Sequence, residues 1–148
     1  MIIKCPNCGD KLQVQPAAGL EEKTATCPKC KGKFPIKEFL PQLSFRVDDR
    51  NYQLHFGRQW VGRQKEGSDV EVQIPDEQRY MSKQHAIVEL YCTAAGIECT
   101  FEEHGKNPSK KDGIELVKDD IIYLRTNDCL RLGSKSMYLA DVFGDTNQ

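Results

Sequence analysis

Four of the seven cysteines stand in two pairs, Cys5-Pro6-Asn7-Cys8 and Cys27-Pro28-Lys29-Cys30, with eighteen residues between the pairs. Two residues between sulfurs let one tight turn present two thiolates, and two such turns complete a tetrahedron around one Zn²⁺. The interval matches the window of four-cysteine zinc sites, and no βαβ pattern surrounds either pair, which opposes a redox dithiol. Cys5, Cys8, Cys27 and Cys30 are therefore the expected ligands of one structural Zn²⁺. A second set of chemically able residues lies further on. Gly62-Arg63 and Ser82-Lys83-Gln84-His85 are echoed by Asn107-Pro108-Ser109 and Asp112-Gly113. Arg63 offers a planar, permanently charged fork that can bond two phosphate oxygens, and Ser82 a hydroxyl donor. Lys83 adds charge, and Gly62 permits close backbone approach. A phosphorylated side chain, with a charge of roughly −1.5 to −2 and three acceptor oxygens, is the complement of this set.

These residues need elements to position them. Around the cysteine pairs, Lys11 to Val14, Lys23 to Thr26 and Lys33 to Ile36 read as short strands, with Gly9 and Gly32 placed for positive φ after each knuckle. About forty residues bury little core, so the metal is expected to fold residues 1–37 and to leave Phe34 and Phe39 inside. Lys29, Lys31, Lys33 and Lys37 read as a solvated lysine-rich surface. Residues 38–42 form a linker, in which Pro41 biases Leu40 to extended backbone. From Leu43 the pattern has period two. Strands are expected at Leu43 to Val47, Tyr52 to Phe56, Gln59 to Val61, Val70 to Ile74, Ala86 to Tyr91, Ile97 to Glu102, Ile114 to Val117, Ile121 to Leu124, Cys129 to Leu132 and Ser136 to Ala140. Asp48 to Asn51 supply a first turn and Gly133-Ser134 a last one. Many short strands without an amphipathic helix indicate an all-β sandwich over residues 43–148. Cys92, Cys99 and Cys129 fall in its apolar runs as small buried hydrophobes.

Gly62-Arg63, Ser82-Lys83-Gln84-His85, an Asn-Pro-Ser and an Xaa-Gly turn, in this order between strands, resemble a forkhead-associated (FHA) domain over residues 43–143. The first 37 residues, opening on Cys-Pro-x-Cys, resemble a zinc ribbon. The FHA resemblance implies a β-sandwich whose loops at one end hold a phosphothreonine segment of a partner protein. It assigns phosphate contacts to Arg63 and Ser82, a phosphate or peptide contact to Lys83, and internal loop bonding to His85. Asp112-Gly113 stands where the family usually has Asn-Gly. A carboxylate there cannot donate to a peptide and repels phosphate. Lys110 and Lys111 would offset that charge, and Asn107 and Ser109 would supply donors, with Gly113 shaping the turn.

Composition bounds the rest. A hydrophobic content of 39%, a charged content of 29% and a net charge of −1 suit a globular chain without the global field of a nucleic-acid binder. No apolar run reaches the roughly 18 residues of a membrane helix, and the start has no room for a signal-peptide core, so the expected location is the cytoplasm. His55, His85 and His104 have no triad partner in view, and there is no phosphate-transfer loop, so binding rather than catalysis is expected. The leading expectation is a phosphothreonine-binding adaptor in Ser/Thr kinase signalling, with a partner that is a kinase or its substrate. Two alternatives stand beside it: a nucleic-acid-binding regulator that uses the zinc ribbon, and a domain that binds an unmodified protein through the same loops.

Overall fold

The computed structural model describes residues 2–141. Met1, the first residue of the expected ribbon, and residues 142–148, the end of the expected sandwich domain, lie outside the described residues. The chain divides into two compact units. Among the described residues, one comprises 2–40 with 91–98, and the other 41–90 with 99–141.

In the first unit each cysteine pair sits at the turn of a hairpin. β1 (Ile2–Lys4) pairs with β2 (Lys11–Gln13), and β3 (Thr24–Thr26) with β4 (Lys33–Pro35), both antiparallel. The two knuckles repeat one another. Gly9 N–H donates to Cys5 C=O at 2.9 Å and Lys31 N–H to Cys27 C=O at 2.8 Å. Gly9 has the expected positive φ, 74°. In the second knuckle the left-handed residue is Lys31, at 64°, and not Gly32. A Cβ at Gly32 would stand 2.4 Å from the Asn7 amide nitrogen, the end of an exposed side chain that can swing aside. Ile3, Cys5, Cys27 and Phe34 form the buried core, and Phe39 packs edge-on to Phe34 with ring centroids 5.1 Å apart.

The sandwich is built from eleven strands in two sheets. They are β5 (Leu43–Val47), β6 (Arg50–Gln53), β7 (Gly57–Arg63), β8 (Val72–Ile74), β9 (Ala86–Thr93), β10 (Gly96–Glu103), β11 (Lys110–Lys111), β12 (Ile114–Glu115), β13 (Ile121–Leu124), β14 (Cys129–Leu132) and β15 (Lys135–Asp141). One sheet has the order β13-β10-β9-β7-β8 and the other β12-β11-β14-β15-β5-β6. Burial alternates residue by residue along β9, as a strand with one face on a core requires. Phe45, Val88, Phe101, Leu130, Leu132 and Leu139 are almost wholly buried. Each contributes about 1.5–3 kcal/mol by leaving water. Cys92 and Cys99 are buried as expected, and burial raises their thiols to about 11 and about 12. Cys129 is only half-buried.

Two strands were not foreseen in the sequence, β1 and β11, each three residues or shorter. The first turn is also tighter than the expected four residues. Val47 pairs with Arg50, so Asp48 and Asp49 alone form it, both left-handed at 50° and 66°. Asp tolerates that region better than most residues.

What matters for the site is direction. β7 and β9 are antiparallel, with Val61 opposite Ala86, so the end of β7 lies beside the start of β9. β8 runs parallel to β7, with Arg63 opposite Ile74, and ends at the same place. β10 returns along β9 after the two-residue turn Ala94-Ala95 and ends there too. Arg63, the loop 75–85 and the loop 104–109 therefore converge at one end of the five-stranded sheet.

Candidate functional site

The three loops are tied together by their backbones. Arg63 N–H donates to Ser82 C=O at 2.9 Å, His85 N–H to Val61 C=O at 2.9 Å, and His104 N–H to His85 C=O at 2.8 Å. Gly62 allows this approach, because a Cβ there would lie 1.8 Å from the Lys83 carbonyl oxygen. The clearance that Gly62 provides thus accommodates the protein's own loop.

At the centre is His85, fully buried. Its Nδ1 accepts the Ser82 N–H at 3.0 Å, so the proton of the neutral ring sits on Nε2. That Nε2–H faces Ser109 Oγ at 3.0 Å and Glu103 Oε1 at 3.3 Å. The Glu103 carboxylate, also fully buried, takes the N–H of Gly105 at 3.0 Å and of Ser109 at 3.1 Å. Gly105 has no room for a side chain, since a Cβ would stand 2.2 Å from the imidazole. Burial lowers the His85 pKa, only partly opposed by the charges of Glu103 and Asp76.

Above this support lies a cleft of about 390 Å³, whose lining includes Arg63, Ser82, Lys83, Lys106 and Asn107. Arg63 is half-buried, and its Nε is buried without a hydrogen-bond partner. A buried donor left unpaired costs about 1–3 kcal/mol. Ser82 Oγ accepts the Lys106 N–H at 2.9 Å, which leaves the hydroxyl hydrogen to point elsewhere. Asn107 Nδ2 donates to Tyr80 C=O at 2.9 Å, holding the third loop to the second. Lys83 is exposed, and its pKa is lowered, chiefly by the neighbouring Lys65 ammonium and then by desolvation, Arg63 and Lys106. The cleft is thus a concentrated positive region on a chain of net charge −1.

The remaining expected contacts lie elsewhere. Ser109 is completely buried and its hydroxyl is engaged by His85, so it braces the loops and cannot reach a ligand. Lys111 and Asp112 do not line the cleft. Asp112-Gly113, with φ of 53° and 79°, is the two-residue turn between β11 and β12, and Asp112 pairs with Lys111 at 3.3 Å. Gln84 and Asn107 bring side-chain amides to the cleft lining, of which Asp112 is not a part. Gly113 shapes the turn as expected. Lys106, Arg79 and Tyr80 also line the cleft and were missed, because a single Lys, Arg or Tyr in a loop carries no pattern until the fold gathers it.

The cysteine cluster is the other candidate site. Cys5 Sγ is 3.6 Å from Cys30 Sγ, Cys8 Sγ is 3.6 Å from Cys27 Sγ, and all four sulfurs lie within 4.8 Å of one another. With metal–sulfur bonds near 2.3 Å, a tetrahedron has edges of about 3.8 Å, so the set fits one dication. The Cys8 N–H is the main cause that holds the Cys5 thiol down to about 7. Although the Asp10 N–H favours a thiolate at Cys8, burial and the crowding sulfurs push that thiol up to about 12. A dication binds such sulfurs as thiolates, so its binding would release protons.

No protein-family model matches this chain, and no curated protein matches it either. Solved structures do, and several of them are FHA domains. The FHA domain of the CT664 protein from Chlamydia trachomatis aligns with 68% of this chain and 97% of its own at 19% identity and a TM-score of 0.54. The MEK1 FHA domain bound to a phosphothreonine peptide of HOP1 aligns over 70% and 98%, at 17% identity and a TM-score of 0.56. A domain studied for phosphothreonine-dependent FHA interactions aligns over 67% and 95%, at 20% and 0.52. At these identities the likeness establishes the FHA-like β-sandwich.

The buried His85 predicts a pH dependence. Unfolded, the histidine titrates near 6.5, and folded it titrates lower, so between those values the unfolded chain holds the extra proton. The stability that neutral His85 provides is complete above about pH 6.5 and is lost as the pH falls toward the folded pKa. In urea titrations from pH 7.5 to 5, followed by Trp60 fluorescence, wild type should lose more stability than His85→Asn, which keeps an acceptor and a donor but no titration. Parallel pH profiles for the two proteins would contradict this.

Proposed function

We propose that this chain binds phosphothreonine segments of a partner protein through the cleft at Arg63, as an adaptor in Ser/Thr kinase signalling. The observation that carries the reading is the unpaired, buried Arg63 Nε beside the Ser82 hydroxyl in a cleft ringed by cations. Arg63 would meet the phosphate through two parallel N–H bonds, Ser82 would donate a third, and Lys83 and Lys106 would neutralise charge. Asn107, fixed against Tyr80, would hold the peptide backbone. His85, Glu103, Ser109, Gly62 and Gly105 position these groups and need not touch the ligand. The phosphothreonine complexes among the structurally similar FHA domains agree with this assignment.

Calorimetric titration with a degenerate phosphothreonine peptide library, beside its unphosphorylated counterpart, tests this. Binding should require the phosphate and should weaken at least a hundredfold in Arg63→Ala, since two charge-assisted bonds are lost at about 1.5–3 kcal/mol each. Arg63→Ala should keep the fold, because the group removed leaves no internal side-chain partner. Equal affinity of wild type and Arg63→Ala would refute phosphate capture by this residue.

We also propose that Cys5, Cys8, Cys27 and Cys30 hold one structural Zn²⁺, that residues 1–37 form a ribbon-like module joined by 38–42 to the sandwich, and that the metal folds it. Metal analysis should give one zinc per chain, and its removal by a strong chelator should collapse the backbone resonances of residues 2–13 and 24–35. Retention of those resonances in metal-free protein would show that the module folds unaided.

A further inference from the structure

An open sheet ends in strands whose outer N–H and C=O groups meet no neighbour, and such an edge invites another chain unless charge, proline or brevity blocks it. Among the described residues the two sheets of the sandwich end in β6, β8, β12 and β13. The first three are guarded. β8 and β12 have only three and two residues, and β6 carries Arg50, Asn51 and Gln53. β13 reads Ile121-Ile122-Tyr123-Leu124, without charge or proline, and leaves Ile121 61% and Tyr123 67% exposed.

The backbone decides which groups on this edge are free. Glu103 N–H donates to Asp120 C=O, so the polar groups of Asp120, and in alternation those of Ile122 and Leu124, turn toward β10. Those of Ile121 and Tyr123 turn outward. The side chains of these two residues share one face of the sheet, where Ile121 stands opposite Glu102 and Tyr123 opposite Thr100. A charge brackets them at each end. Asp119 is carried on the same face, because its carboxylate lies 3.3 Å from Nδ1 of His104, whose Nε2 bonds Glu102, and its side chain is 70% exposed. Arg125, exposed at the next alternate position, forms no ion pair among the described residues. Along the edge the face reads negative, apolar, apolar, positive.

That order is its own complement when a second copy lies antiparallel. Since only outward groups can pair, a two-fold axis through the strand passes beside Ile121, Ile122 or Tyr123. An axis at Ile121 would set Tyr123 against Asp119, and one at Tyr123 would set Ile121 against Arg125. The axis at Ile122 sets Ile121 against Tyr123 of the second copy and Asp119 against its Arg125, and does so twice. Like meets like in the apolar pairs, and opposite charges meet at the rim.

We propose that β13 is a self-association edge, through which two copies of this chain join antiparallel about an axis beside Ile122 and form one continuous sheet. Ile121 and Tyr123 exchange backbone bonds with Tyr123 and Ile121 of the second copy, and the Asp119 and Arg125 pairs close both ends. The Arg63 cleft includes His104, just beyond the end of β10, and so lies where β13 begins. The pair therefore presents its two clefts at opposite ends. This pairing does not depend on what the cleft binds.

Sedimentation equilibrium of the full chain over a wide range of concentrations should show monomer and dimer in exchange. Arg125→Glu and Asp119→Lys should each weaken the dimer about tenfold or more, because like charges then face one another. An equimolar mixture of the two variants should recover it, since each rim contact of the mixed pair again joins opposite charges, a rescue that no folding defect would allow. In the unaltered chain, hydrogen exchange should protect the amides of Ile121 and Tyr123 only at high concentration and those of Ile122 and Leu124 at every concentration. A chain that stays monomeric throughout would overturn the proposal. So would a dimer that neither variant weakens, that mixing fails to restore, or that leaves exchange at Ile121 and Tyr123 unchanged.

Discussion

Three segments far apart in sequence meet on the imidazole of His85. Its Nδ1 takes the Ser82 N–H, its Nε2 serves Ser109 and Glu103, and its own backbone bridges β7 and the start of the loop after β10. A neutral ring in one tautomer is the condition for all of these contacts, and burial enforces it. Two glycines make the arrangement sterically possible. Gly105 clears the ring and Gly62 clears the Lys83 carbonyl. Because Arg63, Ser82 and Asn107 are held by this core, the groups that face the cleft need little reordering to receive an anion, and preorganisation of this kind lowers the entropic cost of binding.

Much of this was legible in the chain. The strands Leu43 to Val47, Ile121 to Leu124 and Cys129 to Leu132 were legible to the residue, because short runs of strand-forming residues are bounded there by polar turn residues. The cysteine cluster was readable because two Cys-x-x-Cys pairs at this spacing bring four sulfurs together. Arg63, Ser82 and Lys83 were readable because their types fit an anion and their order fits a known loop pattern.

The third loop is the part of the site that sequence resolves least. Asn107 and Asp112 are both polar turn residues a few positions apart, and sequence alone does not say which turn faces the cleft. The fold decides it. β11 separates them, so that Asp112-Gly113 closes a hairpin while Asn107 is tied to Tyr80. Ser109 differs from the expected surface donor in that Glu103 and His85 enclose it. Arg79 and Lys106 escaped notice because clustering of charge is a tertiary property.

The most direct test of phosphate capture is the Arg63 side-chain Nε–H signal in proton–nitrogen correlation spectra, recorded while the protein is titrated with a phosphothreonine peptide. Capture by the guanidinium predicts a large downfield movement of that one signal, absent with the unphosphorylated peptide, as the unpaired donor gains an oxygen. A signal that stays in place while the peptide binds would contradict it, and would move the ligand to another face of the sandwich.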